Sequence, residues 1–165
     1  MLRDLTADIP GATDFTYGEL IKSATALRRG IINIPNEEQW VNLETLAVKV
    51  LQPVRNLFGP LRVTSGFRCP ELCLAIGSSI TSNHARGEAA DIEPIRRGVS
   101  LLSILSFIHR TLEFRELIAE YFPDGWVHVA YRKGANDRYL KLKDADHNYE
   151  IVTLDYIVEK YSNIC

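Results

Sequence analysis

The chain has 165 residues, of which 46% are hydrophobic and 24% are charged, as in an ordinary globular domain with a sizeable core. Its formal net charge of −2 gives no reason to expect nucleic acid or an anionic membrane as a partner. No apolar run approaches the roughly 18 residues of a membrane-spanning helix, and the N-terminus lacks the apolar segment of a secretory signal. Three cysteines, an odd number, suggest no disulfide framework. We therefore expect one monomeric domain over residues 1–165, synthesised in the cytoplasm.

The first part of the chain predicts an arm followed by helices. Residues 1–16 look like a loose arm, and Thr16 predicts the cap of a short helix after it. The strongest pattern covers residues 37–58, where apolar side chains recur at helical spacing. Asn36 is a good N-cap for this helix, and Pro53 predicts a kink or a break inside it.

The second part of the chain predicts a sheet with fewer helices. Residues 61–64 and 89–94 are candidate strands, while Pro70 and Ser100 each predict the start of a helix. Alternating patterns then predict two strand pairs, formed by residues 114–121 with 125–132 and by residues 139–143 with 149–153. A short helix ends the chain. Helices first and an antiparallel sheet later favour an α+β fold.

Two histidines and one aspartate are the candidate metal ligands. His84 and Asp91 flank a stretch that Gly87 breaks, and His128 lies in an apolar strand-like segment. Two imidazoles and one carboxylate suit a catalytic zinc, since three protein ligands leave a fourth position for water. Residue chemistry alone leaves open alternatives in which these residues bind no metal. His84 and Asp91, seven apart, would also lie on one face of a helix, and His128 would equally suit a core histidine bonded to backbone.

Several short motifs occur together in the order of one peptidase family. Residues 82–92 read SNHARGEAADI and residues 126–128 read WVH. This pattern resembles the signature of the zinc D-Ala-D-Ala carboxypeptidases, whose relatives include D-Ala-D-Ala dipeptidases and the L-alanyl-D-glutamate endopeptidases of phage endolysins. Residues 63–68 (VTSGFR) are similar to an SGYR-like segment of that family, and residues 76–79 (IGSS) to its VGGS-like run. Residues 23–35 are similar to the N-terminal segment of phage-type members.

The resemblance implies a fold, a cofactor and a substrate class. The implied fold is of the Hedgehog/DD-peptidase type, a small antiparallel sheet with flanking helices. The implied cofactor is one Zn²⁺ ion, held by His84, Asp91 and His128. The implied partner is a peptidoglycan stem peptide.

The resemblance also suggests which residues meet the substrate. Arg68 is similar to the family arginine that engages the substrate carbonyl or carboxylate, a role that suits the paired donors of a guanidinium. The alternative for Arg68 is a surface arginine after a turn. Ser65 and Ser82 are expected either to contact the substrate or support the site, or only to shape turns. Glu88 is expected to be a solvated neighbour.

The general base of the expected site has two candidates. Peptide hydrolysis needs a carboxylate that takes the proton of water and passes it to the leaving amine. In the family this acid usually stands three residues before the second histidine, a position occupied here by Gly125. Glu120 and Asp124 are therefore the candidates. Glu120 shares the face of His128 only if it pairs opposite Trp126, because a shift of one residue turns it to the other face.

These expectations define two hypotheses. The first is a zinc-dependent peptidase that hydrolyses an amide bond of peptidoglycan stem peptides, encoded by a phage or prophage and acting on the cell wall after release or as a virion component. The second is a zinc-stabilised binding or virion structural module of the same fold that has lost hydrolysis, which the glycine at position 125 motivates.

Overall fold

A computed structural model describes residues 3–135 and 137–162. Its helices are α1 (Tyr17–Ile21), α2 (Ala24–Arg29), α3 (Glu37–Leu46), α4 (Gln52–Phe58), α5 (Pro70–Ala75), α6 (Leu101–Thr111) and α7 (Leu154–Tyr161). Its strands are β1 (Asp8–Ile9), β2 (Ala12–Thr16), β3 (Leu61–Ser65), β4 (Ala89–Pro94), β5 (Glu116–Glu120), β6 (Trp126–Ala130), β7 (Tyr139–Lys143) and β8 (Tyr149–Ile151). The α+β class is confirmed. None of the helices in the described ranges has the length and apolarity needed to span a bilayer.

The long helix predicted for residues 37–58 is present with an irregular middle. Asn36 caps α3 by accepting a hydrogen bond from the Gln39 backbone, and the Gln39 side chain accepts one in return. A π-helical segment, Ala47–Leu51, joins α3 to α4. It directly precedes the turn that contains Pro53, which has no N–H to donate to the preceding turn. The predicted irregularity at Pro53 is therefore a local widening of a continuous helix.

The prediction of a loose N-terminal arm is wrong for most of its length. Strands β1 and β2 form an antiparallel hairpin, and Gly11 has the positive φ of 81° that its turn requires. The side chains of Ile9 and Phe15 are 0% and 2% exposed and belong to the main hydrophobic core. The arm is thus ordered because its apolar side chains are buried.

The main sheet has six strands in the order β3-β4-β6-β5-β7-β8. The predicted pairs β5 with β6 and β7 with β8 are antiparallel, as are β3 with β4 and β4 with β6. Strand β7, however, lies beside β5 and runs parallel to it. The sheet is therefore mixed, whereas the sequence predicted an antiparallel one. The connection after β6 causes this, because it carries the chain across β5 to the far side.

The two faces of the sheet carry different kinds of side chain. One face belongs to the main core and carries Ala90, Ile92, Leu117, Ala119, Val127, Val129, Leu140 and Leu142. Because side chains alternate along a strand, the residues between these face the other way. A row across five strands on that second face contains, in order, Ser65, Asp91, His128, Ile118 and Lys141. A neighbouring row contains Trp126, Glu120, Lys143 and Tyr149. Polar and charged residues thus gather on the face away from the core.

Candidate metal centre and active site

Three donor atoms from distant parts of the chain converge on the second face of the sheet. The Oδ1 atom of Asp91 lies 2.8 Å from Nδ1 of His128 and 3.4 Å from Nε2 of His84. The two imidazole nitrogens are 3.2 Å apart. All three side chains are buried. The structure therefore brings together the three residues that the sequence singled out as metal ligands, in a group able to hold one metal ion.

Strand register and one tight turn produce this convergence. Asp91 on β4 and His128 on β6 are direct partners in an antiparallel pair, so their side chains lie side by side. His84 comes from a 3₁₀ turn, His84–Arg86, that ends at Gly87 with a φ of 72°. A Cβ atom at Gly87 would lie 2.5 Å from the carbonyl oxygen of Gln39 in α3. Glycine is therefore required there both by its backbone conformation and by the close approach of α3.

Each imidazole presents one nitrogen to the cluster. Nδ1 of His84 lies 2.7 Å from the carbonyl oxygen of Gly66 and donates its proton there, which leaves the Nε2 lone pair facing Asp91. His128 presents Nδ1 to the cluster, and its buried Nε2 has no hydrogen-bond partner among the described residues. The nearby carboxylate oxygen Oε1 of Glu116 is 3.7 Å from that Nε2.

The charges of the cluster suit a cation. Burial alone would raise the pKa of Asp91, but its two histidine neighbours outweigh burial and hold the pKa well below its usual range. Burial lowers the pKa of His84. It also acts to lower the pKa of His128, but the adjacent carboxylates of Asp91 and Glu116 prevail and raise that pKa to about 9. A divalent ion bound to these three side chains would replace the proton that His128 holds beside Asp91. Two nitrogens and one carboxylate oxygen are a donor set that fits zinc.

A cavity of about 660 Å³ opens beside the three candidate ligands. The lining of the cavity also includes six charged or polar side chains that could contact a substrate: Arg68, Ser82, Glu116, Glu120, Lys141 and Lys143. The cavity is large enough for a short peptide segment. Anionic, cationic and hydroxyl groups thus surround the position where a substrate would meet the metal.

Glu120 lies in this cavity and Asp124 does not. Glu120 pairs directly opposite Trp126, which is the register that puts its side chain on the face of His128. It is buried and accepts a 2.9 Å hydrogen bond from Lys143. Asp124 instead lines a second cavity, formed with Phe122 and other residues. The structure thus separates the two candidate bases and leaves Glu120 beside the candidate metal ligands.

The structure leaves no room for a side chain at position 125. A Cβ atom built there would lie 1.9 Å from the backbone oxygen of Glu120, far inside van der Waals contact. The turn between β5 and β6 is therefore too tight for an acidic residue at the position where related enzymes usually carry it. Glu120, on the adjacent strand, is the acid that this turn leaves close to the site.

The three predicted substrate contacts have different surroundings. Arg68 lines the cavity, and its guanidinium donates to Oδ2 of Asp91 at 2.9 Å and to Oγ of Ser65 at 2.8 Å. Ser82 also lines the cavity, and its hydroxyl accepts a hydrogen bond from the backbone of Ala85. Ser65 does not line the cavity, so its observed role is to hold Arg68. A guanidinium has five N–H donors, and two hydrogen bonds leave others for a ligand.

Sequence reasoning missed three charged residues of the site. Glu116, Lys141 and Lys143 line the cavity, with Lys141 paired to Glu116 and Lys143 to Glu120. The neighbouring His128 imidazole lowers the pKa of Glu116 to about 2, against the opposing effect of burial. Strand alternation would have placed Glu116 on the face of Glu120, four residues away. The sequence did not indicate that the two lysines reach the cavity, because the parallel pairing of β7 with β5 was not predicted.

The prediction that Glu88 is a solvated neighbour is wrong. Its side chain is 7% exposed and accepts two 2.7 Å hydrogen bonds from Arg132 and one of 3.0 Å from Arg86. Burial alone would raise the pKa of Glu88, but these hydrogen bonds lower it below its ordinary value. Glu88 therefore forms a structural ion cluster that ties the His84 turn to the end of β6.

Two imidazoles and one carboxylate beside an open cavity form a group that could hold one metal ion, with the donor set of mononuclear catalytic sites. The family model for Peptidase M15 matches residues 13–130 of the chain. The chain therefore belongs to the M15 family of zinc peptidases, the D-Ala-D-Ala carboxypeptidase type, which confirms the resemblance found in the motifs. A search of curated proteins finds no match. The family match ends before β7 and β8, so Lys141 and Lys143 come from outside it.

Proposed function

We propose that this protein is a zinc-dependent peptidase that hydrolyses an amide bond in peptidoglycan stem peptides, as a D,D-carboxypeptidase or an L-Ala-D-Glu endopeptidase. One observation carries the proposal: the facing nitrogens of His84 and His128 lie within 3.4 Å of one carboxylate oxygen of Asp91, at the wall of a cavity that also contains a buried acid. Membership of the M15 family supports the same reaction class.

Glu120 is the proposed general base. A bound zinc ion would polarise the scissile carbonyl and lower the pKa of the attacking water to roughly 7. The Glu120 carboxylate would accept the proton of that water and deliver it to the leaving amine. Lys143 supports this role, since its ammonium donates to Oε2 of Glu120 at 2.9 Å and holds the carboxylate in place in the cavity.

Arg68 and Ser82 are the proposed substrate contacts. Arg68 lines the cavity while its Nη2 atom is anchored on Asp91, so its remaining donors lie close to the metal ligands. We propose that they bind a carbonyl or carboxylate oxygen of the stem peptide. Ser82 lines the same cavity two residues before His84 and offers a hydroxyl to the peptide. Ser65 would act indirectly, by fixing Arg68.

The biological setting is proposed from sequence similarity. Residues 23–35 resemble the N-terminal segment of phage-type members, and they form α2 with its Ser23 cap and the segment that follows. We propose that a phage or prophage encodes the protein, and that it reaches the cell wall after host lysis begins or as part of the virion.

Release of D-alanine or of peptides from purified sacculi tests the proposal. Zinc-loaded protein should release soluble fragments, a chelator should stop the release, and added zinc should restore it. Mass spectrometry of the fragments would identify the bond that is cut, because loss of a terminal D-Ala and cleavage after L-Ala give different masses. Absence of any release by zinc-loaded, folded protein would contradict the proposed activity.

A second candidate is a zinc-stabilised binding module without hydrolysis. Two observations favour it: no side chain fits at Gly125, and the carboxylate of Glu120, the proposed base, is held in an ion pair with Lys143. Such a protein would bind zinc, gain stability from it and bind sacculi without releasing fragments. The sacculus assay separates the two functions, because binding and release are measured in the same sample.

A further inference from the structure

Glu116 lies behind the candidate metal centre rather than in it. It is on β5, opposite Ala130 and two positions along from the pairing of Ile118 with His128. Its side chain is 17% exposed, and Oε1 lies 3.7 Å from Nε2 of His128. That nitrogen is the ring atom that faces away from His84 and Asp91. Glu116 therefore contacts the side of His128 opposite to the candidate metal position.

The Nε2 atom of His128 lacks a partner in the described part of the chain. This is costly for a buried polar atom, because a buried donor without an acceptor loses its hydration without compensation. A metal ion bound at Nδ1 places the ring proton on Nε2. The imidazole would then need an acceptor at that nitrogen, and Oε1 of Glu116 faces it at a distance that a small side-chain adjustment would close.

The Glu116 carboxylate is itself fixed from two sides. Asn83 donates from Nδ2 to Oε1 at 2.8 Å, and Lys141 donates to Oε2. The Oδ1 atom of Asn83 in turn accepts hydrogen bonds from Arg86 at 2.6 Å and Arg115 at 2.5 Å. Since a carboxylate oxygen has two lone pairs, Oε1 is able to accept from both Asn83 and His128.

These contacts connect the two histidine segments. Asn83 immediately precedes His84, and Glu116 reaches His128, so a single carboxylate bridges the turn that carries one imidazole and the strand that carries the other. Lys141 adds the β7–β8 hairpin to the same network. A carboxylate that accepts from the second nitrogen of a metal-binding imidazole fixes the tautomer and orientation of the ring.

We infer that Glu116 is a positioning residue for His128: its Oε1 accepts the Nε2–H and holds the ring with Nδ1 toward the metal, while Asn83 and Lys141 hold Glu116. This inference rests on the proposed zinc site. It does not depend on peptidase activity, because it concerns the affinity for the ion.

The test compares zinc affinities of full-length variants by chelator competition, without substrate. Glu116→Ala should weaken zinc binding by about 10–100-fold, the usual effect of removing such an acceptor. Glu116→Gln, which keeps a neutral acceptor in nearly the same shape, should show a smaller loss. Glu150→Ala, which removes an exposed carboxylate on β8, should bind zinc like the wild type.

A double variant separates positioning from simple charge repulsion. Removing Glu116 alone leaves the Lys141 ammonium unpaired near the cation. If charge were the whole effect, Glu116→Ala/Lys141→Met would regain wild-type zinc affinity. We expect the double variant to stay weakened, because the Nε2–H still lacks its acceptor. Recovery of wild-type affinity in the double variant would overturn the inference.

Nuclear magnetic resonance provides a direct second readout. In zinc-loaded wild type, the Nε2–H proton of His128 should be observable and slow to exchange with solvent, because it is hydrogen-bonded and buried. In Glu116→Gln, which retains the shape of the side chain and is expected to fold, its signal should shift and its exchange should accelerate. Unchanged zinc affinity together with an unchanged Nε2–H signal in the Glu116 variants would reject the inference. If zinc binding depends on Glu116 but the zinc-loaded protein releases neither D-alanine nor peptides from sacculi, only the proposed peptidase function is rejected.

Discussion

Glu120 and Lys143 lie directly opposite each other in the parallel pair of β5 and β7, and Nζ of Lys143 donates to Oε2 of Glu120 at 2.9 Å. The Glu120 side chain is 8% exposed and that of Lys143 is 16% exposed, so the pair is largely shielded from solvent. The ammonium also lies over the rings of Tyr121 and Tyr149, 5.1 and 5.0 Å from their centroids. The proposed base is therefore held by a hairpin that lies outside the family match.

Glu120→Gln should separate hydrolysis from metal binding. The amide keeps the size of the side chain but accepts no proton from water, so we expect the turnover number to fall by about 10²–10⁴-fold. Zinc content should not change, because Glu120 is not one of the three candidate ligands. Asp124→Asn is the matched control and should retain activity, since Asp124 lines a different cavity. Full activity in Glu120→Gln would show that another group is the base.

Lys143→Met should destabilise the protein through its partner. Removing the ammonium leaves the Glu120 carboxylate buried without its partner, a change that typically costs about 3–5 kcal/mol of unfolding free energy. Urea denaturation measures this cost, with the exposed Lys160→Met as a control. The double variant Glu120→Gln/Lys143→Met should recover much of the loss, since neither charge remains. A double variant no more stable than Lys143→Met would argue against coupling of the two charges.

Gly125→Ala tests the closeness of the β5–β6 turn. The new methyl group would meet the backbone oxygen of Glu120, so we expect a loss of about 1–3 kcal/mol of stability and reduced turnover as Glu120 is displaced. Gly134→Ala is the control, because a Cβ atom there meets nothing within 4 Å, although its φ of 78° imposes backbone strain. The two variants should thus differ in activity more than in stability. Equal activity of both would contradict the steric argument.

Zinc should stabilise the folded protein in proportion to its binding. At a free zinc concentration 100 times the dissociation constant, linkage predicts about 2.7 kcal/mol of added unfolding free energy. Thermal unfolding with zinc and with a chelator measures the difference. It should largely disappear in His128→Ala and persist in His109→Ala, since His109 lies on α6 away from the candidate ligands. A zinc effect that survives in His128→Ala would locate the bound ion elsewhere.

Glu88 should make stability depend on acid pH. Its pKa is lower in the folded protein than the value of about 4.3 expected for the unfolded chain. Its contribution is therefore fully present above the unfolded pKa and is lost as the pH falls through the folded pKa. Unfolding free energies measured from pH 7 down to pH 3 should fall more steeply for the wild type than for Glu88→Gln. At neutral pH, Glu88→Gln should cost about 1–3 kcal/mol, and parallel pH profiles would contradict this assignment.

Local sequence signals determined most of the elements and the three candidate ligands. The cap at Asn36, the interruption at Pro53 and the break at Gly87 act through backbone geometry within a few residues, so they are readable from the sequence. The hairpin of β1 and β2 was not predicted, because it is stabilised by the burial of Ile9 and Phe15 in a core that distant segments of the chain form together.

The amino-acid sequence by itself determined the α+β class, the peptidase family and the set of His84, Asp91 and His128. Only the tertiary structure decided which of the two candidate bases, Glu120 or Asp124, lies beside that set, because this depends on the register of β5 against β6 and on the tight turn at Gly125. It also decided that Lys141 and Lys143 reach Glu116 and Glu120, through a parallel pairing between strands 23 residues apart. Pairing at that distance depends on the path of the whole chain, and a shift of one residue would turn every one of these side chains to the other face.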